Sequence, residues 1–199
     1  MGRACQSLIE AHEAGIIHRD IKPQNLFVTH VGDEYDFIKL LDFGIARVTQ
    51  ADENAQSTRA SVVSGTPGYI APELLCGQQA DARSDIYGLG ATLYALLTGR
   101  PPFEGEAPGK VIAAQLSDSV QRPSARRGEP IPLELERFVL RCLARDPNER
   151  FHSVRELADA LAPLMVDEPW SAQDAERFWR NHVERLGFVL APTQTQIVA

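Results

Sequence analysis

Two short polar runs constrain this chain more than any other feature: His18-Arg19-Asp20-Ile21-Lys22-Pro23-Gln24-Asn25 and Asp42-Phe43-Gly44. Between them lie Leu26-Phe27-Val28-Thr29 and Phe37-Ile38-Lys39-Leu40-Leu41, apolar runs that read as the two strands of a hairpin. A hairpin returns the chain to its starting point, so Asp20, Lys22, Asn25 and Asp42 are expected around one mouth. Their types suit phosphoryl transfer with a metal. The Asp20 carboxylate can accept a hydroxyl proton, while the Asn25 amide and the Asp42 carboxylate offer hard oxygens to Mg²⁺. Lys22 can neutralise charge on a moving phosphoryl group. A single Asp or Asn in a loop is ordinarily a turn or cap former; four such residues at a spacing the chemistry requires argue for a site.

Further along stand Gly65-Thr66-Pro67-Gly68-Tyr69 and Ala71-Pro72-Glu73. In this order and context the four runs resemble the catalytic core of the protein kinase family, in the serine/threonine-specific, eukaryotic-like form also found in bacteria. The resemblance implies a fold class: mainly α with a small β-hairpin, the kinase large C-terminal lobe, a helical bundle carrying the catalytic and activation loops. It implies a transferase that uses ATP and Mg²⁺ and acts on Ser/Thr hydroxyls of a protein substrate. Asp20 would orient and deprotonate the hydroxyl, Lys22 stabilise the phosphoryl group, and Asn25 and Asp42 hold Mg²⁺. Thr66 would hydrogen-bond Asp20 and Lys22 and help form the substrate platform. Phe27 would floor the adenine pocket, with His18 and Phe43 in the family's apolar spine and Gly44 completing the metal-binding tripeptide. Glu73 would pair with Arg150, in Asp146-Pro147-Asn148-Glu149-Arg150. Asp85 has two readings, a helix cap alone or an acceptor for the backbone of His18 and Arg19.

The remainder organises around these runs. Residues 3–14 have helical periodicity, with Gly15 placed to end the helix. Residues 45–64 lack periodicity and read as a loop, the activation segment on the family resemblance. Ser57, Thr58, Ser61 and Ser64 are candidate phosphorylation sites there, with Arg19 as a phosphate partner; solvated loop hydroxyls are the plainer reading of each. The apolar run from Ile86 to Leu97 reads as a buried helix capped by Ser84 or Asp85 and stopped by Gly99 ahead of Pro101-Pro102. A short helix over 110–116 and amphipathic helices over 133–144 and 153–161 follow, the last opened by a Ser153/Glu156 capping box. Arg122, Arg126 and Arg127 read as a solvated basic loop rather than a docking patch. Pro163 and Pro169 mark a boundary, giving a lobe over 1–163 and a tail over 164–199 with one helix at about 171–186. That helix, with Phe178, Val183 and Leu186 on its apolar face and Trp179 beside it, either packs on the lobe or binds a partner.

Bulk properties narrow the function classes. At 199 residues and 44% hydrophobic, the chain can bury a core. A net charge of −7 argues against nucleic-acid or anionic-membrane binding. Cys5, Cys76 and Cys142 are few, odd in number and far apart, as in a reduced cytoplasmic protein. No stretch is long enough to span a bilayer. The resemblance also has a gap. Its glycine-rich lid, its phosphate-gripping strand lysine and the partner glutamate have no match in these residues; Lys39 lies on the wrong strand, just before Asp42. The N-terminal lobe is therefore not expected here, and turnover by these residues alone is expected to be weak. A start upstream of Met1, or a separate chain supplying that lobe, would restore activity. The other function class is a non-catalytic protein-interaction module. Either way, the hairpin and first helix are expected to expose an apolar patch for a complementing lobe or another partner.

Overall fold

In the computed structural model the described residues are 1–31, 34–43, 66–165 and 170–185. They form a mainly helical body with one two-stranded antiparallel sheet. Helix α1 (Gly2–Glu13) leads through the polar run from His18 to Asn25 to β1 (Leu26–Val31) and β2 (Glu34–Leu40). After residue 66 come α2 (Pro72–Leu75), α3 (Ala82–Thr98), α4 (Pro108–Ser117), α5 (Pro123–Arg127), α6 (Leu133–Cys142), α7 (Val154–Leu161) and α8 (Ala172–Arg185). Gly44, Gly65 and the candidate phosphorylation sites Ser57, Thr58, Ser61 and Ser64 lie outside the described residues, as does Leu186.

Helix α3 is the centre of the body. It is apolar around most of its circumference, so it must be surrounded by protein rather than lie at a surface. Ile86, Tyr87, Leu89, Ala91 and Tyr94 are all buried, against Leu8 of α1, Phe138, Val139 and Cys142 of α6, and Leu157 and Leu161 of α7. Its N-cap differs from the expected Ser84 or Asp85. Asp81 caps it, with extended backbone; its Oδ1 accepts from Arg83 N at 2.8 Å, and Ser84 completes the capping box. The helix therefore starts a turn earlier than its apolar run. Asp85 sits inside the first turn, where its carboxylate can face inward. Gly99, at φ 75°, closes the far end with its N–H on Ala95 O at 2.8 Å.

A two-stranded hairpin is marginal by itself and needs a helix to pack on. Here α1 and α8 both rest against β2. Leu26 pairs with Leu40 and Thr29 with Phe37, but Val31 pairs with Glu34. Two residues, Tyr35 and Asp36, thus face one, His30. Asp36 takes φ 55° in this bulge. At the opposite end of the hairpin Phe27 (54%), Val28 (46%) and Leu41 (40%) are exposed, with Ile16 (42%) just past α1. This is an exposed apolar surface on the hairpin, with little contribution from α1 itself, whose apolar residues face the core.

Other local readings need adjustment. The Arg122/Arg126/Arg127 stretch contains the short helix α5, and each arginine faces a carboxylate: Glu136, Glu104 and Glu129 respectively. At α7, Ser153 Oγ accepts from Glu156 N at 3.0 Å, but the Glu156 carboxylate turns to His152 N and Arg141 instead of closing the box. At α8 the box is reciprocal between Ser171 and Asp174.

A buried ion pair joins distant parts of the chain. Arg150 is fully buried, yet all five of its N–H donors are used: two on Glu73 Oε1 and Oε2 (2.8 Å each), and three on the carbonyls of Ala144 (2.8 Å), Arg83 (2.9 Å) and Arg145 (3.2 Å). Glu73 Oε1 also accepts from Ser84 Oγ at 2.9 Å. A buried charge is tolerable only with such complete pairing. Arg150→Met is expected to lower unfolding free energy by ~3–5 kcal/mol, read from urea titration, because it strands the Glu73 carboxylate. A second test concerns Gly88. An added Cβ there would lie 2.9 Å from Ile21 Cβ and 3.1 Å from Ile21 O. Gly88→Ala gains up to ~1 kcal/mol of helix propensity but overpacks by ~1–3 kcal/mol, so a net loss is expected in the same titration.

Candidate active site

The site is held from beneath by Asp85. Its side chain is fully buried and accepts three hydrogen bonds: His18 N to Oδ2 (2.9 Å), Arg19 N to Oδ1 (2.8 Å), and His12 Nε2 to Oδ2 (2.8 Å). A carboxylate bonded in this way is an acceptor, so the His12 nitrogen is the donor. Arg19 can then adopt φ 66°, a conformation costly for a non-glycine residue and maintained by these bonds. Asp85 thus does more than sit at a helix start; it fixes the backbone immediately before Asp20.

His18 joins the two polar runs. Its ring is buried; Nδ1 accepts from Asp20 N at 3.3 Å, which leaves the hydrogen on Nε2, and Nε2 donates to Leu41 O at 3.0 Å. The ring also packs on Phe43, with centroids 4.6 Å apart. A second tie runs from Leu41 N to Asn25 O at 2.8 Å. The chain around Asp42 is therefore bonded to the chain around Asp20 through both His18 and Asn25. Asp42 itself is exposed and left-handed, at φ 56°.

Around the Asp20 carboxylate the polar side chains converge. Lys22 Nζ donates to Asp20 Oδ2 (3.0 Å) and to Thr66 Oγ1 (3.2 Å). Asn25 Nδ2 donates to Asp20 O (2.7 Å) and lies 3.3 Å from Asp20 Oδ2. Asp20 and Lys22 are mostly sequestered, with side chains 16% and 18% exposed, so their interaction is little screened. Thr66 returns to Lys22 across 44 positions of sequence.

The donor set here suits Mg²⁺. Both hydrogen bonds donated by the Asn25 amide nitrogen go to Asp20, so its Oδ1 would be the oxygen offered to a metal, and Asp42 presents a solvent-facing carboxylate. One carboxylate and one amide oxygen suit Mg²⁺, which keeps several waters and takes the rest of its shell from substrate phosphates. Among the described residues no group of three or more His, Cys, Asp or Glu side chains is placed to hold a metal ion.

Sequence reasoning missed Gln115. It is buried on α4, where it accepts from Gly68 N (3.3 Å) and donates to Ile70 O and to Tyr87 Oη (2.9 Å). It braces the segment following Thr66, with Gly68 at φ 92° against Phe103 O. Burial raises the Tyr87 hydroxyl far above its ordinary pKa, so it stays protonated. The one available signal was a glutamine on the apolar side of a short helix. His12 was missed for a similar reason, as a lone polar residue near a helix end.

Comparisons with known proteins agree with this geometry. The protein kinase domain family matches residues 1–163. A probable serine/threonine-protein kinase of Corynebacterium efficiens is 39% identical over 184 residues, covering 91% of this chain and 26% of that protein. Serine/threonine-protein kinase PknB of Mycobacterium tuberculosis is 40% identical over 178 residues, covering 87% of this chain and 28% of its own length. The chain therefore spans about a quarter of the length of these relatives. Among solved structures, the Mycobacterium tuberculosis PknI kinase domain superposes with a TM-score of 0.55 at 31% identity, over 80% of this chain and 50% of that one. With the fold, the polar cluster and these likenesses in agreement, the chain belongs to the protein kinase family, in its bacterial serine/threonine branch.

Proposed function

We propose that these residues form the phosphoryl-transfer and substrate-binding face of a serine/threonine protein kinase. The observation that carries the reading is the bridge Asp20–Lys22–Thr66, a partly sequestered carboxylate, ammonium and hydroxyl within 3.2 Å of one another along the bridge. Asp20 accepts the proton of a substrate Ser or Thr hydroxyl as that oxygen bonds to the terminal phosphorus of ATP, the bond from that phosphorus to the bridging oxygen breaks, and ADP leaves. Lys22 is pre-positioned to meet the charge spreading over the phosphoryl oxygens, with Thr66 restraining its swing. Asn25 and Asp42 would hold Mg²⁺, which would supply charge neutralisation on the nucleotide phosphates. Phe27, exposed on β1, offers an apolar face to the adenine ring. Arg19, whose Nε has no hydrogen-bond partner among the described residues, is the candidate partner for a phosphate on the segment carrying Ser57, Thr58, Ser61 and Ser64. The three free cysteines support a reducing, cytoplasmic setting.

Positioning accounts for most of a kinase's rate. These 199 residues contain no glycine-rich phosphate lid and no clamping strand lysine. Assayed by themselves they are expected to show little Mg-ATP phosphotransfer. Supplied with a kinase N-terminal lobe, in cis or in trans, they are expected to show turnover. In that complemented form Asp20→Asn should lower kcat by ~10²–10⁴. Lys22→Met should lower kcat rather than raise KM for peptide. Phosphotransfer from labelled ATP checks both, and Asp20-independent turnover would remove the assignment. Asp85→Asn, which turns one acceptor oxygen into a donor beneath the loop, should lower kcat without changing the net donor set at Asn25 and Asp42.

A further inference from the structure

Both tryptophans of the chain, Trp170 and Trp179, meet on one carboxylate. Trp170 Nε1 donates to Asp36 Oδ2 at 2.8 Å, and Trp179 Nε1 donates to Asp36 Oδ1 at 2.7 Å. Asp36 is the bulge residue of β2, held at φ 55° where a non-glycine residue is uncommon. A bulge re-aims a side chain that regular pleating would send elsewhere. Here it turns one acceptor toward two indoles nine positions apart on and just before α8. Around this centre Trp179 meets the His30 ring edge-on with centroids 6.0 Å apart, and Trp170 packs edge-on against Phe178 at 5.9 Å.

Apolar burial contributes little to this docking. Among the described α8 side chains Ala175 is the buried one, Phe178 stays 45% exposed, and the rest of the helix is strongly polar. The helix is preorganised at its own N-terminus by the Ser171/Asp174 box and by Arg177–Asp174 (2.9 Å) and Arg180–Glu176 (2.5 Å) pairs. Its attachment then depends on polar contacts: the two indole–carboxylate bonds, each charge-assisted because Asp36 is the acceptor, and a hydrogen bond from Arg180 to the neighbouring Tyr35. Asp36 lies on β2 four residues before the strand ends at Leu40, roughly 13 Å along the strand, so the contact braces the strand that delivers Asp42.

We propose that α8 is a strap: its two indoles, clipped to Asp36, hold the hairpin in register and thereby set the backbone at Leu40–Phe43. Release of the strap loosens the hairpin, and on the kinase reading above it weakens Mg-nucleotide binding through Asp42. Because no tryptophan lies elsewhere, intrinsic fluorescence reports on the strap alone. In Asp36→Ala the emission maximum should move to the red and acrylamide quenching should rise. Amide hydrogen exchange across 26–42 should accelerate at the same time, while exchange in α3 stays unchanged. Trp179→Phe, which keeps the ring but removes one donor, should shift the remaining Trp170 emission in the same direction, so the conclusion does not depend on Asp36→Ala folding normally. Unchanged quenching in both variants, or changed quenching with unaltered exchange at 26–42, overturns the strap. A separate titration of the N-lobe-complemented protein with Mg-ADP should show about fivefold weaker binding in Asp36→Ala. Absence of Mg-ADP binding by the complemented wild type would instead count against the kinase reading and leave the strap to be decided by fluorescence and exchange.

Discussion

One buried carboxylate governs the geometry of the candidate site. Asp85 lies in the first turn of the most deeply buried helix, and its oxygens accept from His18 N, Arg19 N and the His12 ring. Removing an ionised group from water is unfavourable unless its hydrogen-bonding capacity is filled. Three donors satisfy both of its oxygens, and two of them are backbone groups of the loop that presents Asp20. The requirement to satisfy Asp85 therefore becomes a requirement on loop conformation, strong enough to hold Arg19 in the left-handed region. Because α3 is buried on nearly all sides, Asp85 cannot relax outward to water instead.

The same helix ties the site to the far end of the chain. Ser84, next to Asp85, bonds both the Asp81 backbone and Glu73, and Glu73 carries Arg150. The cap, the loop before Asp20 and the long-range ion pair therefore share one helical turn. Displacing that turn would disturb the Asp81 cap, the Glu73–Arg150 pair and the loop before Asp20 together, which couples the rigidity of the site to the stability of the lobe.

Much of this was legible in the sequence where a residue's chemistry is local or its motif is distinctive. The hairpin between Asn25 and Asp42 followed from two apolar runs, and α3 from an apolar stretch closed by Gly99. The family resemblance put Glu73 beside Arg150, 77 positions away, which no periodicity could have done. What escaped were contacts with no local signature. Asp81 was hidden because the apolar run that marks α3 begins after its first turn. The bulge at Asp36 leaves no mark, since Tyr35-Asp36 alternates like any strand. Gln115 looks like an ordinary polar residue until Gly68, Ile70 and Tyr87 converge on it. At α8 the apolar face centred on Phe178 was the weaker guide: Phe178 is half exposed, and Trp179 makes the attachment through its one polar atom. An indole can act by its N–H as well as by its area, and helical periodicity registers only the area.

The hairpin shows why the body and the reactive groups cannot be considered separately. Its inner end is fixed by bonds from Leu41 to Asn25 and to His18, and its outer end by Asp36 on the tail and Arg3 on α1, which meets Glu34 and sits 5.0 Å over the Phe37 ring. Next to the inner end Phe27 and Val28 remain exposed, an apolar surface that a two-stranded sheet cannot cover by itself. The covalent path from Asp36 to Asp42 is one short strand. Restraint at either end is thus transmitted to the carboxylate through backbone hydrogen bonds rather than through packing. Covering this exposed surface would add packing to the restraint and limit the freedom of Asp42, whose own side chain faces solvent. For that reason the polar tips of the site can be correctly spaced in this lobe while their final rigidity depends on what lies against Phe27 and Val28.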